Sequence, residues 1–231
     1  WATVAFEGNV NVSAGTFAFE GTTGSNRALA GYGTATVTFE PGVVIHGGRG
    51  DIGGGGATAY YCTSSSLTVV NQGMIQANVS GQSLNIVGPS FTNQNMVDAQ
   101  SGATLSISST NWSNPGAITG TSASVSLSGI WSSSGSIATN SGTTTLGGTW
   151  STTGPISVNG GTLNLAGSFT TAHVTQIAIT GNPTVNITGT LDNNGSTLVL
   201  DGSNGTWNLN GGIINGGTIQ GASGSATLPL A

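Results

Sequence analysis

Lysine is absent from this sequence of 231 residues, and Arg27 and Arg49 are its only arginines. Seven acidic residues outnumber the two arginines and give a formal net charge of −5. Nucleic-acid binding relies on a basic surface that neutralises the phosphates. The sequence therefore predicts that nucleic acid is not a partner.

Cysteine and long apolar segments are equally scarce. Cys62 is the only cysteine, which excludes a disulfide within one chain. No apolar run approaches the roughly 18 residues that a membrane-spanning helix needs. The sequence accordingly predicts no membrane span.

Charge of either sign is also scarce, since only 4% of the residues are Asp, Glu, Lys or Arg. Copies of such a chain repel one another only weakly, so we expect the protein to tolerate or require contact with its own copies as a homo-oligomer or filament. The neutral polar composition, and Trp1 in place of an initiating methionine, favour an extracellular or cell-surface location after removal of a signal peptide.

The abundant residues are glycine, serine, threonine and asparagine, and residues 143–167 show how they are arranged. Short apolar segments around Leu146, Trp150 and Ile156 are separated by Gly, Asn, Pro and Ser. Each segment is too short for a helix and alternates as a strand does. The segment is therefore interpreted as one structural repeat of three strands.

The same pattern recurs from Leu67 onward at intervals of 17 to 22 residues, in three columns of apolar positions. The first column consists of the pairs Leu67/Val69, Leu84/Ile86, Leu105/Ile107, Val125/Leu127, Thr144/Leu146, Leu163/Leu165, Val185/Ile187 and Trp207/Leu209. The second consists of Phe91, Trp112, Trp131, Trp150, Phe169, Leu191 and Ile213, and the third of Ile118, Ile137, Ile156, Ile177, Leu198 and Ile219.

Three strands per repeat, separated by glycine corners, predict an all-β fold with one three-sided coil for every 19–22 residues or so. Equivalent residues of stacked coils lie roughly 4.8 Å apart, and corners absorb changes in length that strands cannot. We therefore predict a regular parallel β-solenoid over residues 67–231, with the aromatic residues of the second column stacked in its core. Residues 1–66 are predicted to form an irregular, β-rich cap or interlocking arm.

Three similar strands in the N-terminal segment end at Glu7, Glu20 and Glu40. If these strands are neighbours, the three carboxylates share a face and form a candidate metal site that suits Ca²⁺. The alternative is that the glutamates occupy separate, solvated corners. The glycine-rich segment 46–58, which contains Arg49-Gly50-Asp51, is predicted to be a loop that leaves the body of the protein.

The repeats resemble the strand repeats of autotransporter passenger domains and related bacterial surface β-helices. The resemblance is carried by Gly-Thr-Leu-Asn-Leu-Ala-Gly at 161–167, with further copies at 142–148 and 205–211. It covers roughly residues 104–221 and implies a right-handed parallel β-helix on a cell surface, where it serves in adhesion, display or scaffolding.

Other β-helix proteins are polysaccharide-active enzymes, which need acidic residues that converge on one groove. Here Asp98, Asp192 and Asp201 fall at different points of their repeats, and Asp98 is about five coils from the other two. The sequence therefore predicts no catalytic residues and a protein that is not an enzyme.

The outward positions beside the first column form an uncharged ladder of hydroxyl and amide side chains. This ladder is the candidate face for binding or self-contact, and it consists of Thr143, Thr145, Thr162, Asn164, Thr184, Asn186, Thr206 and Asn208. Solubility, together with side-chain hydrogen bonding along the stack, accounts for such a surface. Lateral contact between molecules and an ice-binding plane are the functional alternatives.

The leading hypothesis is a non-enzymatic extracellular structural protein that self-associates into a fibre, sheath or surface layer. The alternative is an adhesin-like passenger domain that binds glycans or a host surface through the 46–58 loop or the ladder. A polysaccharide-active enzyme and an ice-binding protein rank lower.

Overall fold

The computed structural model describes residues 2–21, 27–54, 65–200 and 204–221. The chain is a parallel β-solenoid of about 9 turns with an irregular N-terminal region, which confirms the predicted fold class. Because 55–64 are not described, the structure gives no account of Cys62 or of the end of the 46–58 segment.

The described residues form the following strands, in chain order: β1 (Ala2–Phe19), β2 (Arg27–Gly47), β3 (Gly50–Ile52), β4 (Ser65–Asn71), β5 (Met74–Ala77), β6 (Ser83–Ile86), β7 (Ser90–Asn93), β8 (Met96–Gln100), β9 (Thr104–Ile107), β10 (Asn111–Asn114), β11 (Ala117–Leu127), β12 (Ile130–Ser133), β13 (Ser136–Leu146), β14 (Thr149–Thr152), β15 (Ile156–Asn159), β16 (Thr162–Leu165), β17 (Ser168–Thr170), β18 (Ile177–Thr180), β19 (Thr184–Ile187), β20 (Thr190–Asp192), β21 (Thr197–Leu200), β22 (Thr206–Leu209), β23 (Ile213–Asn215) and β24 (Thr218–Gly221). One short helix, α1 (Thr171–Thr175), lies between β17 and β18.

The strands stack in parallel on three sides of the coil. Face 1 carries Leu84 and Leu105, face 2 carries Trp112 and Trp131, and face 3 carries Ile118. The long strand β2 runs round all three sides, since it pairs in turn with β3, β4 and β5. The N-terminal strands β1 and β2 are therefore complete coils stacked on the array.

Alternation along each strand sends every second side chain inward, and the inward columns form one continuous core. On face 2 the indole rings of Trp112 and Trp131 stack with centroids 5.0 Å apart, and those of Trp131 and Trp150 with centroids 5.3 Å apart. All three residues are buried. The predicted stack of aromatic residues inside the core is thus confirmed.

Phenylalanines from three different faces close the core of the first two coils. Phe6 comes from face 1, Phe17 from face 3 and Phe39 from face 2. The Phe39 ring makes edge contacts with Phe6 (5.9 Å between centroids) and with Phe17 (5.8 Å). Large rings thus fill the width of the core in these two coils.

The corner between faces 1 and 2 needs glycine for two reasons. Gly129 and Gly148 both have positive φ (88° and 75°), a conformation that L side chains rarely adopt. A Cβ on Gly148 would also overlap the backbone of Gly129 in the coil before it. The glycine corner predicted from the sequence is therefore confirmed at these positions.

The predicted column positions of three residues are wrong. Val69 pairs with Phe91, so Leu67 and Val69 belong to face 2, and the face 1 strand of their coil is β3. At the other end, Leu191 pairs with Ile214, while Ile213 points outward and is exposed. Strand β2 pairs with β4, so strand pairing continues across residue 66. The division of the chain into residues 1–66 and 67–231 stays a prediction.

The prediction that the glycine-rich segment leaves the body of the protein is wrong for residues 46–54. Residues 50–52 form β3, which pairs with β6, and Ile52 is fully buried. Gly50 lies beneath the Phe19 ring, where an added Cβ would overlap it. The run of glycines thus reflects close packing against neighbouring coils.

Candidate functional site

The eight predicted ladder residues share one outer face of the solenoid, face 1. The register places Thr143, Thr162, Thr184 and Thr206 in one column, each opposite the next. The residues two positions later form the second column, which consists of Thr145, Asn164, Asn186 and Asn208. Both columns have the spacing of stacked parallel strands, about 4.8 Å per coil.

The amide side chains of the second column are oriented by one another. Asn208 Nδ2 donates to Asn186 Oδ1 (3.1 Å), and Asn186 Nδ2 donates to Asn164 Oδ1 (2.9 Å). Asn164 Nδ2 then donates to Thr145 Oγ1 (3.3 Å). Each amide nitrogen has two N–H groups, so the row satisfies one and leaves the other available to a molecule bound on this face.

The ladder stands on a rigid support, because the residues between its members point into the core. Leu163 and Val185 are fully buried, and Trp207 is nearly so. Thr144 is a buried polar member of this inward column, and its Oγ1 donates to Thr139 Oγ1 (2.7 Å). The ladder is therefore a fixed array of neutral hydrogen-bonding groups with no residue suited to acid–base chemistry.

A second surface lies on the outside of face 2. A shallow groove of about 390 Å³ runs over β7, β10 and β12 and is continuous with one of about 220 Å³, because both are lined by Ser113, Ser132 and Ser151. Ile130, which is 58% exposed, is the large apolar side chain of the groove. The groove residues carry no charge, so this surface suits an uncharged ligand.

Sequence reasoning missed a ladder of asparagines inside the solenoid. Asn71 donates to Asn93 Oδ1 (2.9 Å), and Asn93 donates to Asn114 Oδ1 (2.7 Å). Asn114 continues the row by donating to Ser133 Oγ (3.0 Å). The three asparagines are fully buried. Their signal in the sequence is a fixed offset, since each lies two residues after an inward-pointing apolar residue of face 2: Val69, Phe91 or Trp112.

The register does not meet the condition for the candidate metal site, because the strands that end at Glu7, Glu20 and Glu40 lie on different sides of the coil. Glu7 lies opposite Tyr32 at the end of face 1, Glu40 follows the face 2 strand, and Glu20 follows the face 3 strand. The repeated strand motif therefore marks three different sides, spread over the first two coils, instead of three stacked copies of one side. Among the described residues, no three His, Cys, Asp or Glu side chains come close enough to hold a metal ion.

The other acidic residues are dispersed and already hydrogen-bonded. Asp98 on face 3 accepts hydrogen bonds from Thr119 Oγ1 (2.6 Å) and Gln76 Nε2 (3.1 Å), whereas Asp192 lies on face 2. Asp51 of the Arg-Gly-Asp sequence accepts a hydrogen bond from Asn85 Nδ2 (2.8 Å) within the array. Asp201 falls outside the described residues.

Within the described part of the chain, no helix has the length and apolar character needed to cross a bilayer. No protein-family model matches this chain, and no curated protein or solved structure is significantly similar to it. The function has to be inferred from the two outer surfaces themselves.

Proposed function

We propose that this chain is a non-enzymatic structural segment of an extracellular or cell-surface protein, and that it self-associates laterally through face 1. The observation that carries the proposal is the ladder, which is flat, uncharged and orders its own amide groups. A second copy offers the same donors and acceptors, and like surfaces of this kind are self-complementary around a two-fold axis. The scarcity of charge over the whole chain removes the repulsion that keeps copies apart.

The size of the ladder surface predicts how strong the contact is. The ladder itself spans four coils, and face 1 as a whole is seven coils long from β6 to β22. Four residues across and seven coils along give a surface about 13 Å by about 34 Å, or roughly 900 Å² from the two partners together. Stable complexes bury about 1,200–2,000 Å², so a single pair of copies associates weakly. Assembly then depends on high local concentration or on the repetition of such faces in an array.

The first prediction is that added charge on face 1 abolishes association. A chain with Asn164→Lys and Asn186→Lys carries two like charges in adjacent coils, which repel the same two charges on a facing copy. The control is Ala138→Lys with Ser157→Lys. It places two lysines opposite each other in adjacent coils, as on face 1, but on the outside of face 3. Sedimentation velocity at high and low protein concentration is the measurement, with electron microscopy of the concentrated samples.

We expect wild type and the face 3 variant to form oligomers or filaments that dissociate on dilution, while the face 1 variant stays monomeric. A wild-type chain that remains a monomer at every concentration contradicts the proposal. Association that survives in the face 1 variant and is lost in the face 3 variant moves the contact to another surface.

The groove on face 2 favours a second function, the binding of an uncharged glycan as in an adhesin. Its lining of hydroxyl and amide groups around the exposed Ile130 matches a ligand that offers hydroxyls and C–H surfaces. A glycan array probed with wild type and with Ser132→Trp, which fills the groove, tests this function. Binding of neutral glycans that the variant loses supports it, and signal no higher than background rejects it.

A further inference from the structure

The aromatic stack inside face 2 ends on a histidine. After Trp112, Trp131 and Trp150, the imidazole ring of His173 packs on Trp150 with ring centroids 4.6 Å apart and planes tilted by 45°. His173 reaches this place from the corner between faces 2 and 3. The chain takes eight residues from Phe169 to Ile177, whereas the coil before takes six from Trp150 to Ile156. The two extra residues are accommodated by α1.

The hydrogen bonds of His173 fix its neutral form. The backbone N–H of Thr170 donates to Nδ1 of the ring (3.0 Å), and Thr170 Oγ1 accepts from the backbone N–H of His173 in return. This reciprocal arrangement caps α1. Because Nδ1 is an acceptor, the ring proton is on Nε2, and the ring also bonds to the backbone of Trp150.

The junction that His173 bridges is the weakest in face 2. Strand ladders connect β4 to β14 without a break, and β17 pairs with β20, but no ladder joins β14 to β17 among the described strands. The indole N–H groups of Trp112 and Trp131 donate to carbonyls of the following coil, whereas that of Trp150 is buried without a partner. One backbone hydrogen bond crosses the junction, from the Ser168 N–H to the Gly148 carbonyl (3.2 Å), and side-chain contacts replace the rest of the strand pairing.

We propose that the 170–177 corner is a pH-sensitive latch, in which neutral His173 holds β17 and α1 on Trp150 and protonation of its ring releases these two elements. A proton on Nδ1 faces the Thr170 N–H, so that two donors meet and the hydrogen bond between them is lost. Thr170 Oγ1, 3.1 Å from Nδ1, is then the nearest acceptor for that proton. Release at this seam loosens β17 and α1 locally, while β18 stays paired with β15 on face 3 and β19 with β16 on face 1.

The sign of the pH dependence follows from the surroundings of the ring. Burial lowers the pKa of His173 below its usual 6.5, and the hydrogen bond with the Trp150 backbone opposes this only in part. The unfolded chain therefore takes up the proton first. Stability contributed by the neutral ring is complete above about pH 6.5 and is lost as the pH falls from there to the lowered pKa of the folded chain.

No charged residue occurs on the elements that pack against the ring, α1, β14, β17 and β18. The nearest titratable group in the register is Asp192, opposite Thr170 on β20, and its Oδ1 accepts from the backbone and side chain of Asn194. Protonation of His173 is thus not compensated by a carboxylate directed at the ring in the described part of the chain.

Hydrogen exchange of backbone amides at about pH 7.5 and about pH 5.5, corrected for intrinsic rates, tests the latch. We expect exchange over residues 168–176 to rise about three- to tenfold in acid in wild type, and exchange over 117–146 to rise much less. His173→Phe keeps a ring on Trp150, and His173→Gln keeps an acceptor for Thr170. Neither side chain titrates. Whichever of the two variants folds should therefore show no rise in amide exchange in acid.

The control is His46→Gln, which removes the other histidine, on face 3, and should behave as wild type. The latch is rejected if wild type shows no rise in acid, if the rise is uniform along the chain, or if both His173 variants retain it. None of these outcomes depends on whether copies of the chain associate.

Discussion

Replacing Trp131 by alanine should lower the free energy of unfolding by about 3–5 kcal/mol, the usual cost of truncating a large buried aromatic residue. Trp131 is only 3% exposed and stacks on an indole ring from the coil on either side. Its Nε1 also donates to the carbonyl of Gly147 (3.0 Å). The substitution therefore removes core volume, two stacking contacts and one hydrogen bond together.

The neighbouring residue provides a matched control for Trp131→Ala. Ile130 is on the same strand but points outward and is 58% exposed, so Ile130→Ala should change stability by no more than about 0.5 kcal/mol. Urea unfolding followed by far-ultraviolet circular dichroism measures both variants. Equal losses in the two variants would contradict the inward stack.

Asn93→Ala should lower the free energy of unfolding by about 3 kcal/mol or more, because it leaves buried donors and acceptors unpaired. The Asn93 amide donates to Asn114 Oδ1 (2.7 Å) and to the carbonyl of Ala117 (3.0 Å), and it accepts from Asn71. No water competes for these partners in the core, so each lost bond carries a desolvation cost.

Asn164→Ala is the control for the buried ladder. Asn164 belongs to the outer ladder of face 1, where water replaces any hydrogen bond that is lost. We therefore expect the free energy of unfolding to fall by less than about 1 kcal/mol. The same urea unfolding experiment compares the two. If Asn93→Ala is as mild as Asn164→Ala, the inner asparagines do not form the buried row described here.

The periodic part of the fold could be predicted because alternation shows which side chains point inward. Leu84 and Leu105 on face 1, the three stacked tryptophans of face 2, and Ile118 and Ile137 on face 3 all occupy their predicted columns. A corner changes the interval between repeats without disturbing this alternation. The columns therefore stay recognisable where the spacing varies.

The predictions failed where alternation alone leaves the side of the coil undetermined. Leu67 and Val69 have the spacing of a face 1 pair, although they lie on face 2. The face 1 strand of their coil is β3, and its inward residues Gly50 and Ile52 do not form a recognisable apolar pair in the sequence. The repeated Phe-Glu motif likewise does not show which side of the coil a strand occupies. Equal side chains at Glu7 and Glu20 mark two different sides of one coil.

The inner asparagines were missed for a different reason. A polar residue beside an apolar column suggests an outward position, yet Asn93 points inward because its neighbours in the stack supply every partner its amide needs. That satisfaction arises only when coils are in register. The helix at Thr171–Thr175 was equally hidden, since a two-residue extension of a corner does not specify its own conformation.

Stacking of the coils is the claim on which the columns, the ladder and the latch all depend, and distances between spin labels on face 1 measure it directly. One label replaces Asn85 and the second replaces Thr145, Asn164, Asn186 or Asn208 in turn, in a chain whose natural cysteine is changed to serine. The register places these four residues three, four, five and six coils from Asn85.

The solenoid predicts mean distances of about 14, 19, 24 and 29 Å, a constant step of about 4.8 Å per coil. The step should not change between the 19-residue interval from Thr145 to Asn164 and the 22-residue intervals that follow. Distances that fail to grow by equal steps, or that follow the number of residues instead of the number of coils, would contradict the stacked coil.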